Sequence, residues 1–274
     1  MKRGPLDFRG EWVVVTGASS GLGREMARQL VKDHGANVLA VARRRDRLEA
    51  LAEELSTDAA RVEPLVADLA NPSDLPNVVR VATALPALRG VILNAGVTYY
   101  GHALEQDLGA FDKLLATNVT ALVHLSQHFA KYFLQKQNDG AVLLVSSMAG
   151  FAPLPYQAAY AATKAFVTSY GRSLAYELKG KGVGVSVFAP GGIATEMLET
   201  SGLSRKFKAG DVGVMSPEDC ARLALAGLRK RRMLTVPGAS NKLMAAGMKL
   251  APDGVLLPAI AKIYEGALPE PGGS

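Results

Sequence analysis

Tyr160-Ala161-Ala162-Thr163-Lys164 sets a phenol and an ammonium four residues apart. On a helix such a pair shares one face, with Cβ atoms about 5–6 Å apart. A phenol with a pKa of about 10 exchanges protons poorly near neutrality. A neighbouring ammonium favours the phenolate and draws that value toward a working range. By itself the spacing reads as an ordinary surface pair. Ser147 changes that reading, because it lies thirteen residues upstream, just after a strand-like run. In a parallel sheet the loops beyond the carboxyl ends of the strands gather at one edge, so Ser147 and Tyr160 would meet in one crevice.

A second group of residues is suited to holding a phosphate. Thr16-Gly17-Ala18-Ser19-Ser20-Gly21-Leu22-Gly23 lies between a β-branched run and a helical pattern. Glycines there let backbone approach a pyrophosphate, and a helix N-terminus supplies free N–H groups and a positive dipole. Gly17, Ser19, Ser20, Gly21, Leu22 and Gly23 are the candidate contacts. The spacing, Gly-x3-Gly-x-Gly, departs from G-x-G-x-x-G and gains meaning only from its strand–turn–helix context. Nineteen residues after Gly23 stands Ala42, then Arg43. An acidic residue there would bind the ribose 2′-hydroxyl of NAD; its absence beside a guanidinium fits the 2′-phosphate of NADP(H). Arg43 is assigned that phosphate. Arg44 stays open between the phosphate and the surface, and Arg45 and Arg47 read as solvated helix start.

The elements that must position these groups alternate along the chain. Strands are expected at 12–15, 38–41, 62–66, 91–93, 141–145, 183–188 and 233–236. Helices are expected at 21–34, 45–55, 73–84, 107–135, 158–178 and 217–228, the last capped by Ser216. Continuous apolar strands separated by helices imply an α/β fold of Rossmann type, a doubly wound parallel sheet of about seven strands with helices on both faces. One domain over residues 1–274 is expected, with a substrate-loop excursion at 193–213 and a C-terminal tail at 240–274.

Composition narrows the classes. The 274 residues carry 31 Lys plus Arg against 25 Asp plus Glu, a net charge of +6, and 49% are hydrophobic, which excludes a disordered chain. A single cysteine, Cys220, cannot form an internal disulfide and fits a reducing, cytoplasmic setting. Met1 to Glu11 lacks the apolar run of a secretory signal. Gly140 to Thr163 is free of charge, but its Ser146, Ser147, Pro153, Pro155 and Gln157 argue against a transmembrane helix. The apolar tail admits peripheral membrane contact; subunit packing or a flap over the site is the favoured reading. The basic run Arg229 to Arg232 reads as a helix C-terminus and ordinary surface, with no aromatic partners for nucleic acid. His124 and His128 have metal spacing but no completing ligand, so a helix-interface role is expected and no metal site is assigned.

Taken in order, Thr16-Gly17-x3-Gly21-x-Gly23, Asp68, Asn94-Ala95-Gly96, Asn118, Ser147, Tyr160-x3-Lys164 and Pro190-Gly191 resemble the motifs of the short-chain dehydrogenases/reductases, over about Glu11 to Val236. The resemblance implies NADP(H)-dependent interconversion of a carbonyl and a secondary alcohol. Asp68, with Leu69 beside it, would meet the adenine end, and Asn94, Ala95 and Gly96 would line the cofactor. Asn118 would hold a water relaying protons to Lys164, and Ser147 would hydrogen-bond the substrate oxygen. Tyr160 would be the general acid or base, and Lys164 would bind the nicotinamide ribose. Pro190, Gly191, Ile193 and Thr195 would contact the nicotinamide end. Two departures are Leu93 before Asn94 and Gly192 after Gly191. A homodimer or homotetramer is implied, through the helices at 107–135 and 158–178. Tyr99, Tyr100, Phe151, Tyr156 and Met197 are candidates for an apolar pocket around a small carbonyl or alcohol substrate. Two other readings remain: a catalytically silent NADP(H)-binding sensor or scaffold, and an isomerase or epimerase on the same fold.

Overall fold

The computed structural model describes residues 4–208, 210–266 and 268. Seven parallel strands form the sheet: β1 (Trp12–Thr16), β2 (Asn37–Ala42), β3 (Val62–Val66), β4 (Leu88–Leu93), β5 (Ala141–Val145), β6 (Gly184–Phe188) and β9 (Leu234–Thr235). Their spatial order is β3-β2-β1-β4-β5-β6-β9, the doubly wound Rossmann-type arrangement. The order reverses between β1 and β4, where the crevice beyond the strand ends opens. Short β7 (Gly192–Ile193) and β8 (Val214–Met215) pair separately and bracket the excursion.

Strand side chains alternate between two buried layers. Val13 and Val15 face α1 (Gly21–Lys32), α2 (Arg45–Leu55) and α8 (Pro217–Arg229), meeting Met26, Leu30, Leu48, Leu51 and Leu225. Trp12 and Val14 face the other layer, with Val78 of α3 (Leu75–Ala84), Phe129 and Phe133 of α5 (Ala121–Lys136) and Val167 of α6 (Ala158–Glu177). Burying both strand faces explains why the strands read as continuous apolar runs. Ser216 caps α8 as expected, its Oγ accepting from the Asp219 N–H at 3.1 Å.

Three expectations are corrected. The helix expected over 107–135 is divided: α4 (Leu108–Leu115) passes through a π turn, Ala116–Thr120, into α5. One inserted residue there re-aims Asn118 without breaking the rod. The Arg229–Arg232 run is not all free surface. Arg229 Nε donates to Leu6 O at 2.9 Å, and Arg231 donates to Gly4 O at 2.7 Å and pairs with Asp139. These bonds fasten the N-terminal segment, whose Leu6 and Phe8 enter the core. His124 and His128 are exposed on α5 rather than at an interface within the chain, with a His128 ring nitrogen against the His124 carbonyl.

The tail folds back as α9 (Ala239–Leu250) and α10 (Asp253–Glu265). Among the described residues no helix is long and apolar enough to cross a membrane.

The turn from β1 into α1 fixes the crevice floor. Gly17 has φ +70°, and a Cβ on Gly23 would lie 2.3 Å from the Gly17 carbonyl oxygen. Gly23→Ala should therefore lower unfolding free energy by about 1–3 kcal/mol. Gly247→Ala, inside α9 where a Cβ meets nothing within 4 Å, should raise it by about 0.5–1 kcal/mol. Urea denaturation of the two variants checks both signs.

Candidate active site

Each catalytic candidate is fixed by a separate contact between elements. Beyond β5, Ser146 Oγ bonds the Lys164 carbonyl at 2.8 Å and Thr168 Oγ1 at 2.7 Å, which docks α6 onto the strand end. Ser147 then caps a short 3-10 turn, Met148–Phe151, with its Oγ accepting from the Ala149 N–H at 3.1 Å. The Met148 N–H bonds the Pro190 carbonyl at 2.8 Å, bringing the turn after β6 alongside.

Lys164 is 5% exposed. Its Nζ donates to the Val145 carbonyl at 3.1 Å and lies 5.6 Å from the centre of the Tyr160 ring. Burial alone draws the ammonium down to about 8. Burial also pushes the Tyr160 phenol above its ordinary value, opposed by its hydrogen bond with Ser147. The spacing argument, which has Lys164 bringing the phenol down, is corrected on this point. Enclosure disfavours both charged forms, and for the phenol it is the larger influence.

Asn118 is 1% exposed and sits on the π turn. Its Oδ1 accepts from the Val97 N–H at 2.9 Å, and its Nδ2 donates to Val97 O at 2.9 Å and Thr163 Oγ1 at 3.1 Å. It ties the segment after β4 to α6. On the other side of the sheet reversal, Thr16 Oγ1 accepts from the N–H groups of Asn94 and Ala95, both at 3.0 Å, and Asn94 Nδ2 donates to Thr16 O at 3.0 Å. These bonds join the ends of β1 and β4.

The result is one cavity of about 470 Å³. Its walls carry Gly17, Ser19, Ser20, Gly21, Leu22, Arg43, Arg44, Asp68, Leu69, Asn94, Ala95 and Gly96 at one end, and Ser147, Tyr160, Lys164, Pro190, Gly191, Ile193 and Thr195 at the other. Gly23 and Asn118 lie behind the wall. An elongated anion fits this surface on three observations. Glycine backbone and the start of α1 face it. Ser19 and Ser20 hydroxyls stand beside Arg44. No acidic residue ends β2.

The apolar part of the cavity differs from expectation. Met197 lines it, but Tyr99, Tyr100, Phe151 and Tyr156 do not. Tyr100 packs on Tyr264, Phe151 lies under Lys249, and Tyr156 sets edge-on to His102. Large rings at loop tips found partners in the tail and in His102. Lining residues not singled out from sequence include Leu198, Leu203 and Phe207 of the excursion, Met244, Met248, Ile260 and Tyr264 of the tail, and Met148 and Leu154 after β5. The tail is thus a flap over the site. Tyr264, enclosed near Tyr160 and Tyr100, is pushed up to about 12. Asn241 of α9 is buried without a hydrogen-bond partner among the described residues, against Gly191. Ser146 and Gly150 were also missed; a Cβ on Gly150 would lie 2.4 Å from the Lys164 carbonyl oxygen, so that turn must pass close to α6. Arg47, expected as solvated surface, pairs with Glu196.

Comparison with known proteins follows the same lines. The short chain dehydrogenase family model matches residues 11–206, and the chain belongs to that family. It is 31% identical over 233 residues to a very-long-chain 3-oxoacyl-CoA reductase of Lodderomyces elongisporus, covering 81% of this chain and 64% of that protein. The chain therefore spans less than two thirds of that relative's length. It is 32% identical to the 3-oxoacyl-(acyl-carrier-protein) reductase FabG of Rickettsia prowazekii, covering 79% of this chain and 88% of that one. Among solved structures, a short-chain dehydrogenase from Sphingobium yanoikuyae in complex with NADPH superposes with a TM-score of 0.78 at 31% identity, covering 90% and 94% of the two chains. The family match ends before α9 and α10, so that part of the cavity roof lies outside it.

Burial of Lys164 has a measurable consequence. Below about pH 8 the ammonium is charged in folded and unfolded chains alike, and the folded chain bears the full desolvation penalty. Between about 8 and 10.5 the unfolded chain holds more protons, so stability rises with pH. The fall from 10.5 to about 8 corresponds to about 3 kcal/mol at most. Without added dinucleotide, Lys164→Met should be more stable than the unaltered chain at pH 7, and the gap should close as pH climbs toward 10.5. Urea unfolding across that range is the check; a gap that widens with pH contradicts it.

Proposed function

We propose that this chain is an oxidoreductase that interconverts a carbonyl and a secondary alcohol with NADP(H), Tyr160 acting as general acid in reduction and general base in oxidation. The observation that carries it is Ser147 and Tyr160 together on the cavity wall, with the Lys164 ammonium 5.6 Å from the centre of the Tyr160 ring.

When bound, the cofactor supplies a hydride to the carbonyl carbon or takes one from the alcohol carbon. The rest falls to the chain. The hydroxyls of Ser147 and Tyr160 receive the substrate oxygen between them. In reduction the Tyr160 O–H gives its proton to that oxygen, while Ser147 donates a hydrogen bond to the charge developing there. Lys164 supplies the positive charge that makes a phenolate tolerable for the moment it exists. Asn118 and Thr163 hold α6 against the segment after β4, keeping Tyr160 and Lys164 in register. Gly17 to Gly23 and Asn94 to Gly96 hold the dinucleotide's phosphates and riboses, Asp68 and Leu69 its adenine end, and Pro190 to Thr195 its nicotinamide end.

The NADP(H) preference is supported by exposed Arg43 on the cavity wall and by Arg44 beside the serine hydroxyls. An apolar carbonyl compound is the substrate class, supported by the leucine, methionine and phenylalanine side chains of the excursion and tail. Assembly into a homo-oligomer is proposed through the α4–α5 and α6 faces, where Leu108, Leu115, Phe166 and Tyr176 are exposed.

NADPH absorbance decay against a panel of apolar ketones and aldehydes tests the reaction. Tyr160→Phe should slow turnover at least about a hundredfold while NADPH binding persists. A chain that binds NADPH and turns over nothing on the panel is the silent binder instead. Arg43→Ala should weaken NADPH by about tenfold and leave NADH nearly unchanged; equal losses for both contradict the 2′-phosphate assignment.

A further inference from the structure

Glu196 is the first residue of α7 (Glu196–Thr200) and lies on the excursion that also contributes Met197, Leu198 and Leu203 to the cavity. Its carboxylate does not face that cavity's apolar wall. Arg44 Nη1 donates to its two oxygens at 3.0 and 3.2 Å, and Arg47 Nη1 donates at 2.7 Å. The same Arg44 donates through Nη2 to Ser19 Oγ at 3.1 Å and Ser20 Oγ at 2.7 Å. One guanidinium therefore joins the glycine turn, the start of α2 and the start of α7. These donors, two guanidinium forks beside two hydroxyls, are also what a phosphate monoester would need. The pair is about two-fifths exposed on every partner. It adds little stability and separates readily.

We propose that Glu196 is a built-in carboxylate occupant of the 2′-phosphate site, displaced by that phosphate, so that binding NADP(H) rather than NAD(H) frees α7 and the excursion behind it. The inference rests on the NADP(H) reading above. A phosphate monoester and a carboxylate repel within a few ångströms and compete for the same Arg44 nitrogens. A dinucleotide lacking the 2′-phosphate leaves the Glu196 pairs in place. The two arginines hold Glu196 fully ionised, its pKa drawn down to about 2, so the competition persists across the working pH range. Glu196 is thus a specificity residue acting through Arg44, and it links the cofactor's identity to the wall of the substrate pocket.

The full chain is titrated by calorimetry with adenosine 2′,5′-bisphosphate and with 5′-AMP, which differ only in the 2′-phosphate. Glu196→Gln keeps the side-chain shape and removes the charge, so it should tighten the bisphosphate roughly three- to fivefold and leave 5′-AMP unchanged. Glu199→Gln, an exposed carboxylate on the same short helix, should alter neither. In the unaltered chain the bisphosphate should also speed tryptic cleavage at exposed Arg205, Lys206 and Lys208, and 5′-AMP should not. If the chain prefers the bisphosphate but Glu196→Gln leaves that preference unchanged or weakens it, the displacement is wrong and the NADP(H) reading stands. If the unaltered chain binds both nucleotides equally, the phosphate site itself is absent and both readings fall.

Discussion

An ammonium group taken out of water and given one carbonyl as acceptor is the constraint around which this molecule is arranged. Lys164 could not remain there unless its neighbourhood were fixed from several directions. The Val145 carbonyl at the end of β5 accepts its hydrogen bond. Ser146 clamps its backbone, Gly150 lets the following turn pass against it, and Asn118 reaches across to Thr163, the residue just before it on α6. Each contact serves the same helix turn. Together they set Tyr160 and Ser147 at one wall, and they concentrate an energetic cost at the place proposed for proton transfer. Such a local penalty is what an active site commonly carries at the expense of stability.

The sheet does the coarser work. Its order reverses between β1 and β4, and the Thr16–Asn94 bonds join the two strands where they diverge. That junction makes the crevice, and the crevice receives contributions from residues 17 to 264. The dinucleotide end is polar and built from turns with obligatory glycine geometry. The other end is apolar and roofed by the excursion and by α9 and α10, the last two of which lie beyond the family match.

Much of this was legible before any coordinates. The strand runs, the glycine turn, the Tyr160–Lys164 spacing and Ser147 all register as local patterns, and all seven sheet strands lie where apolar runs predict them. Asn118's π turn did not register, because one extra residue inside a helix leaves the hydrophobic periodicity on both sides intact. Ser146 and Gly150 carry no charge and no motif; their roles come from contacts with Lys164 that only folding creates. Arg44 meets Glu196 across 152 residues, a separation at which sequence spacing says nothing. The aromatic loop residues misled for a related reason. Ring size predicts burial but not the partner, and Tyr100, Phe151 and Tyr156 were taken up by the tail and by His102.

The central claim is that Tyr160 moves the proton and that the Lys164 charge governs how easily. The pH profile of kcat/KM for alcohol oxidation at saturating NADP⁺ addresses it most directly. The account predicts a rising limb set by one ionisation, whose midpoint moves to higher pH in Lys164→Met as the phenol loses its neighbouring cation. A midpoint that stays in place in that variant would show that another group supplies the proton, and would contradict the account.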